Sequence, residues 1–199
     1  VCIGGSDAKR HHSQVFRLRW DGSEMATDSL PPLPVPLANM AGAMVGDTIH
    51  IVGGSLAHDS TSASNLHFSF DGVRWQELEA LPASGRILPV AASRDGSFFV
   101  FSGASLSPDA DGKPVRSYLR DAWKYDTSRN WIRLSDLPRA VVAAPSPAPA
   151  IGASHLLVIG GDDGTLASFE PKSVHPGFTR ETLAYETVTD TWVNAGSMP

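Results

Sequence analysis

The apolar residues of this chain fall into short runs separated by turn-forming residues, and the same order of runs returns four times. The first run of each unit ends in a pair of small residues, and these runs cover residues 1–5, 49–54, 98–103 and 156–161, with Ser102 in place of a glycine. A second apolar and aromatic run follows at residues 15–20, 66–70, 122–125 and 183–185. No segment shows a sustained helical period of apolar residues, so the pattern predicts β-strands throughout.

Two further markers complete each unit. Trp75, Trp131 and Trp192 follow the second run after a short turn, whereas Met25 takes this place in the first unit and Trp20 has moved to the position of Phe70. An apolar residue and a proline then close each unit, at 33–34, 81–82, 137–138 and 198–199. Four markers in a constant order indicate a repeat of about 50 to 60 residues. We predict one domain, 1–199, with repeats at 1–36, 37–84, 85–140 and 141–199.

The second repeat maps onto four strands, at 38–45, 48–52, 65–70 and 75–78. Gly46-Asp47 and Asp71-Gly72 are expected to form the hairpin turns, because both dipeptides tolerate positive φ. Small antiparallel sheets of four strands, repeated around an axis, are the blades of a β-propeller. We expect the glycine pair where the second strand leaves the sheet, and the tryptophan between neighbouring blades.

Composition and charge exclude several classes of function. With 42% hydrophobic and 19% charged residues the chain is globular, and a net charge of -5 disfavours nucleic acid as a partner. No apolar run approaches the roughly 20 residues that a membrane-spanning helix needs. One cysteine, Cys2 in a predicted buried strand, builds neither a disulfide framework nor a zinc site. Val1 is not an initiator residue, so we expect the true N-terminus outside this sequence, and the compartment stays open, periplasmic and secreted locations included.

The markers resemble those of the Kelch repeat over the whole chain. Kelch propellers usually have six or seven blades, so about four blades imply an incomplete ring, completed by a missing chain segment or a second subunit. Within this group the chain resembles the sialic acid mutarotases, including their cyclically permuted branch. The similarity lies in residues 1–20, in residues 98–126 and in the polar loop at 160–180. It implies a six-bladed isomerase that interconverts the anomers of N-acetylneuraminate at one mouth of the central channel.

Such a reaction needs modest chemistry. One group takes the proton of the anomeric hydroxyl while another gives a proton to the ring oxygen. An arginine is the best partner for the sugar carboxylate, because its planar fork binds both oxygens. We expect no metal and no other cofactor.

The loop at residues 6–12 is the densest cluster of candidate groups. We assign catalytic roles to Asp7, Arg10 and His11, and substrate-binding roles to Lys9 and His12. The resemblance implies a carboxylate directly after the glycine pair and an arginine further along; Ser6 occupies the carboxylate position and Asp7 stands one residue later. The alternative is a solvated hairpin loop without a site.

Further candidates come from other loops expected at the channel mouth. The substrate-binding candidates are Arg86 and Arg139, which follow the leucine-proline markers, and Arg116 and Arg180, which lie in two long polar loops. Blade-to-blade salt bridges are the alternative for Arg86 and Arg139. His175 is either a proton carrier or an exposed loop histidine.

A non-catalytic Kelch module that binds a protein or a glycan at the same mouth is the competing function, because propellers host both kinds of work. A protein-binding surface is expected to be broad and to carry exposed aromatic anchors. The suspected mouth loops hold many charges and few aromatic residues, namely Tyr118, Phe169 and Phe178. This composition favours a small acidic sugar as the ligand.

Overall fold

The predicted all-β class is confirmed by a computed structural model, which describes residues 1–126, 128 and 130–198. The fold is a β-propeller built of antiparallel sheets. Within these residues, three sheets of four strands and one of three strands follow one another along the chain, and a two-stranded hairpin accompanies the third sheet of this series. The repeat boundaries and the number of blades in a complete ring stay predictions.

The first two sheets occupy the first 77 residues. The first is ordered β1-β2-β3 and consists of β1 (Cys2–Ile3), β2 (Val15–Trp20) and β3 (Met25–Leu30). The second is ordered β4-β5-β6-β7 and consists of β4 (Ala38–Val45), β5 (Thr48–Ser55), β6 (His67–Phe70) and β7 (Trp75–Glu77). Cys2 is half-buried, so the expected burial of its strand was too strong.

The third and fourth sheets repeat this arrangement. The third is ordered β13-β12-β9-β8 and is interrupted by a separate hairpin; its strands and the hairpin are β8 (Val90–Arg94), β9 (Ser97–Phe101), β10 (Ala104–Pro108), β11 (Pro114–Tyr118), β12 (Ala122–Tyr125) and β13 (Trp131–Leu134). The fourth consists of β14 (Ala150–Ile151), β15 (His155–Ile159), β16 (Glu181–Glu186) and β17 (Thr191–Ser197), with a 3₁₀ turn at Lys172–Val174. The hairpin β10–β11 lies where the sequence predicted only a long loop.

The glycine pair of the second sheet corrects one expectation. We expected β5 to leave the sheet at this pair, yet β5 leaves only β6 there, since their pairing ends at Val52–His67. On its other side β5 remains paired with β4, where Gly53 lies opposite Met40. A Cβ atom on Gly53, whose φ is +76°, would stand 2.5 Å from the carbonyl oxygen of Arg86. Glycine is therefore required by both the backbone angle and the close approach.

The hydrophobic core lies between consecutive sheets. Buried apolar residues of the second and third sheets pack together, as do those of the first and second and those of the third and fourth. The leucines of the leucine-proline markers belong to these clusters; Leu33, Leu81 and Leu137 are between 0% and 3% exposed. The last marker pair includes Pro199, which lies outside the described residues.

The tryptophans connect neighbouring sheets, as predicted. The indole Nε1–H of Trp75 donates to the carbonyl oxygen of Pro31 in the preceding unit at 2.9 Å. Trp131 and Trp192 make the equivalent bonds to the carbonyls of Glu79 and Ser135, at 2.8 and 3.0 Å. All three acceptors stand two residues before a marker leucine, so one contact is repeated at successive blade junctions.

The first strands of successive sheets are also joined, through backbone groups. Asn39, Leu88 and Ala143 all have φ between 53° and 60°. The N–H of Leu88 donates to the Asn39 carbonyl at 2.7 Å, and the N–H of Ala143 donates to the Leu88 carbonyl at 3.1 Å. We call these residues the inner edge of the blades, because they lie on or before β4, β8 and β14, and β8 contacts both β4 and β14.

Candidate functional site

A cavity of about 980 Å³ lies beside this inner edge and draws residues from all four units. Its wall includes polar side chains that were dispersed along the sequence. They are Ser6, His11, Asn39, Ser55, His58, Arg116, Tyr118, Asp162, Lys172 and His175. The volume suits a small polar ligand, since ligand pockets commonly enclose about 300–1,000 Å³.

The residues that directly follow the small-residue pairs reach this cavity because of the backbone turn at each pair. The two members of each pair have positive φ, as in Gly53 at 76° and Gly54 at 95°. Ser6, Ser55 and Asp162 follow their pairs and all line the cavity. The same backbone conformation therefore places side chains from different blades in one cavity wall.

Asp162 supplies a carboxylate to the cavity wall. The hydroxyl of Tyr118, at the end of β11, donates to Asp162 Oδ2 at 2.8 Å, and the N–H of Gly164 donates to Oδ1 at 2.9 Å. Burial, and then the neighbouring carboxylate, raise the pKa of Tyr118, so its hydroxyl keeps its proton at neutral pH. The hairpin β10–β11 thus serves to bring a phenol against a carboxylate from the next unit.

His11 forms a second polar group in the same wall. Its Nε2 lies 3.0 Å from Ser55 Oγ, which also accepts a longer 3.4 Å bond from the Asn39 amide. Among the described groups, His11 Nδ1 is buried without a hydrogen-bond partner. Burial, and then the nearby His58, lower the pKa of His11. His11 is therefore neutral at pH 7.

Asp7 is directed into its own loop. Its Oδ1 accepts the backbone N–H groups of Lys9 and Arg10 at 2.7 and 3.0 Å, and its Oδ2 lies 3.0 Å from His12 Nε2. These backbone bonds, together with His12, lower the pKa of Asp7 to about 2. Lys9, Arg10 and His12 line a neighbouring cavity of about 670 Å³, which meets the first one at His11.

Arg86 and Arg139 are both held in ion pairs. Arg86 is fully buried and binds both carboxylate oxygens of Asp121, at 2.9 and 2.7 Å, and also the Ser102 carbonyl. Burial alone would raise the pKa of Asp121, but Arg86 holds it below its ordinary value. Arg139 binds Glu181 Oε2 at 2.7 Å and the carbonyls of Gly160 and Glu181. Their positive charges are thus already neutralised.

The two remaining candidates are exposed. Arg116 lies on β11 two residues before Tyr118 and lines the larger cavity. Arg180 lies directly before β16 and does not line that cavity. The structure therefore brings Arg116 and His11 into one cavity, and leaves Asp7, Arg86, Arg139 and Arg180 outside it.

Sequence reasoning missed several members of the wall. Asn39, Ser55, His58, Asp162 and Lys172 were not singled out as site residues. A signal for two of them was present: Ser55 and Asp162 each stand directly after a glycine pair, as Ser6 does. Asn39 and His58 do not directly follow a glycine pair, and no other sequence feature distinguishes them.

No group of three or more His, Cys, Asp or Glu side chains suited to a metal ion occurs within residues 1–126, 128 and 130–198. In the same residues no helix is both long and apolar enough to cross a membrane.

Curated proteins that this chain resembles in sequence are named N-acetylneuraminate epimerase. The chain is 28% identical over 191 residues to an N-acetylneuraminate epimerase of Haemophilus influenzae (strain PittEE), covering 85% of this chain and 49% of that protein. The protein of the same name from Pasteurella multocida (strain Pm70) is 27% identical over 192 residues, with the same coverage. No family model matches the chain.

A solved structure of YjhT superposes with a TM-score of 0.67 at 23% sequence identity, covering 85% of this chain and 54% of that one. This likeness concerns the fold. The chain spans about half the length of the curated relatives it matches. In sequence the chain resembles the proteins named N-acetylneuraminate epimerase, and in its propeller architecture it resembles YjhT.

Proposed function

We propose that the protein containing this chain is a mutarotase-like isomerase that interconverts the anomers of N-acetylneuraminate by acid–base catalysis in the 980 Å³ cavity. The observation that carries the proposal is the hydrogen-bonded pair of Tyr118 and Asp162 in the wall of that cavity. The names of the relatives supply the sugar.

In the proposed mechanism Asp162 accepts the proton of the anomeric hydroxyl while the bond between the anomeric carbon and the ring oxygen breaks. Tyr118 gives its proton to the ring oxygen and regains one from Asp162 through their shared hydrogen bond. The proton has then moved from one sugar oxygen to the other, and no charge is left behind. Closing the ring on the opposite face reverses these transfers and produces the other anomer.

Three other groups complete the proposed site. Arg116 is the proposed partner of the sugar carboxylate, because it is an arginine of the cavity wall and interacts with Tyr118 there. His11, bonded to Ser55, is proposed to bind a sugar hydroxyl. Catalytic roles for Asp7 and Arg10 stay predictions, and the hydrogen bonds of Asp7 within its own hairpin favour Asp162 as the working carboxylate.

The test is one-dimensional proton NMR of N-acetylneuraminate prepared as a single anomer. The full-length protein should speed anomer exchange, and Asp162→Asn and Tyr118→Phe should each slow it by about 10²–10⁴-fold, the usual contribution of a general acid or base. Asp163→Asn is the matched control, since Asp163 bonds Thr165 and is not part of the wall. Exchange no faster than in buffer would reject the isomerase, and sugar binding without exchange would instead support the non-catalytic glycan-binding module.

A further inference from the structure

The loop between β15 and β16 contributes an aromatic surface to the cavity. Phe178 is 63% exposed, and it is in the wall of the cavity together with His175. Trp20 is the other exposed aromatic side chain among the described residues, and it lies on β2, away from this wall. Phe178 is thus an exposed phenyl ring that is available to a ligand in this cavity.

This aromatic surface is held by its own loop. The ring of His175 contacts those of both Phe169 and Phe178, with centroid distances of 5.4 and 5.7 Å. Phe169 is half-buried. The 3₁₀ turn ends at His175, whose N–H donates to the Lys172 carbonyl. The phenyl and imidazole rings are thus presented as a unit.

A hydrogen bond to His175 determines which of its two ring nitrogens carries the proton. The backbone N–H of Gly177 donates to His175 Nδ1 at 3.0 Å, so Nδ1 is an acceptor. In a neutral imidazole the proton must then reside on Nε2. His175 therefore offers one N–H donor directly beside the apolar face of Phe178.

An apolar surface next to a single N–H donor matches a small group that has a methyl beside a carbonyl oxygen. The acetamido substituent of N-acetylneuraminate is such a group. A hydroxyl in its place would leave the phenyl ring without a partner, and a charged amine has no acceptor to offer the Nε2–H of His175. The carboxylate end of the same sugar is left to Arg116, which lies on a different element.

We infer that His175 and Phe178 form the acetamido subsite of the cavity: the methyl packs on Phe178 and the carbonyl oxygen accepts the Nε2–H of His175. This inference rests on the proposed function for the identity of the sugar. It makes Phe178 a specificity-determining residue and gives it no part in the proton transfers.

The first experiment compares N-acetylneuraminate with its analogue that carries a hydroxyl in place of the acetamido group. The wild-type protein should prefer the acetamido sugar in kcat/KM by about 10-fold or more, the range for one small apolar contact. Phe178→Ala should remove most of this preference by raising KM for the acetamido sugar alone. His175→Asn retains an acceptor for the Gly177 N–H but lacks the distal donor, and it should reduce the preference severalfold.

Val174→Ala is the control, because Val174 is 64% exposed on the same turn and is outside the wall. It should leave the preference unchanged. A variant that merely misfolds would lose activity toward both sugars alike. An unchanged preference in folded Phe178→Ala would overturn the subsite while leaving the isomerase intact.

The second experiment is saturation-transfer NMR with N-acetylneuraminate, which requires binding and no turnover. On irradiation of the protein's aromatic protons, the acetamido methyl should receive the strongest saturation, and Phe178→Ala should abolish this excess. If it does so in a protein that does not exchange anomers, the subsite stands and the isomerase falls. No binding of N-acetylneuraminate at all would overturn both.

Discussion

Ser102 shows how a single side chain compensates for a costly backbone position. It occupies the first place of its small-residue pair with φ 55°, where the other three units have glycine. Its hydroxyl donates to the Leu119 carbonyl and accepts the N–H of Val141, both at 2.7 Å. These two buried bonds offset the strain of the left-handed conformation, which costs a non-glycine residue roughly 1 kcal/mol or more.

Removal of the Ser102 hydroxyl is therefore expected to destabilise the fold. Ser102→Ala keeps the unfavourable φ and leaves the Val141 N–H without its partner, so the free energy of unfolding should fall by about 2 kcal/mol. Urea denaturation followed by tryptophan fluorescence measures this difference. Ser107→Ala, an exposed serine on β10, should change it by less than about 0.5 kcal/mol. Equal midpoints for both variants would contradict the role given to the hydroxyl.

The sequence identified only part of the candidate site. His11 and Arg116 were chosen from the sequence and line the cavity, whereas Asp7 was chosen and Asp162 was passed over. Both carboxylates accept a backbone N–H two residues further on, but Asp7 also accepts that of Arg10 and contacts His12, whereas Oδ2 of Asp162 accepts the hydroxyl of Tyr118. Nothing in the order of residues distinguishes the two carboxylates beforehand.

Two adjacent strands of the second sheet carry a pair of histidines, of which His67 is buried and His50 is half-buried. His50 on β5 and His67 on β6 approach to 2.9 Å between Nδ1 and Nε2, and His67 Nδ1 lies 3.3 Å from the Glu79 carbonyl. Because a carbonyl only accepts, His67 carries its proton on Nδ1, and His50 must donate to His67 Nε2. Both rings are thus bonded in their neutral forms.

This pair predicts a loss of stability in acid. Burial lowers the pKa of His50 to about 4, and burial followed by the neighbouring His50 lowers that of His67 to about 3. In the unfolded chain both imidazoles have a pKa near 6.5. Below that pH the unfolded state therefore binds more protons than the folded state does. The contribution of the pair to the free energy of unfolding should be full well above pH 6.5 and should be lost as the pH drops toward 4, by about 2–4 kcal/mol between pH 7 and 5.

Urea denaturation at both pH values checks this expectation. The double variant His50→Gln/His67→Gln removes both titrating rings, and its loss of stability between pH 7 and pH 5 should be smaller than that of the wild type. Other groups on the facing elements, such as Asp71, Arg74 and Asp126, remain in both proteins and act as an internal reference. The same decline with and without the histidines would show that the pair is not its source.

The sequence predicted the strands that are bounded by tight hairpin turns. It did not predict strands within a long polar loop. The first strand of the second sheet was predicted with its observed bounds, Ala38–Val45, because apolar residues and a Gly-Asp turn delimit it. The hairpin β10–β11 was not predicted. Its two strands carry mostly exposed residues, so the alternation of buried and exposed positions that identifies a strand is absent there.

Over the whole molecule the blade junctions repeat one set of contacts. At each junction a tryptophan Nε1–H bonds a backbone carbonyl of the preceding unit, and a marker leucine is buried close by. This repetition explains why the sequence periodicity predicted the propeller so well: every marker makes a contact that any two neighbouring blades require. The chemistry of the cavity lies in the stretches between the markers, where no periodicity constrains the residues.

Weakening one junction should lower the stability of the entire assembly of sheets. Trp75→Phe keeps an aromatic ring against Phe70 but deletes the bond to the Pro31 carbonyl, and should cost about 1–2 kcal/mol. Differential scanning calorimetry gives the change in Tm. Trp20→Phe is the comparison, since Trp20 is 64% exposed and should be nearly neutral. A larger effect at Trp20 than at Trp75 would refute the junction model.

Backbone hydrogen bonds join Asn39, Leu88 and Ala143 along the inner edge. Since these bonds use only main-chain atoms, they do not depend on which side chain each residue carries. An amide, a branched alkyl group and a methyl occupy the three positions, and of these three the Asn39 amide lines the cavity. Its exchange would alter the surface offered to a ligand while the bond from the Leu88 N–H to the carbonyl of residue 39 is kept, provided that the new residue tolerates a left-handed backbone.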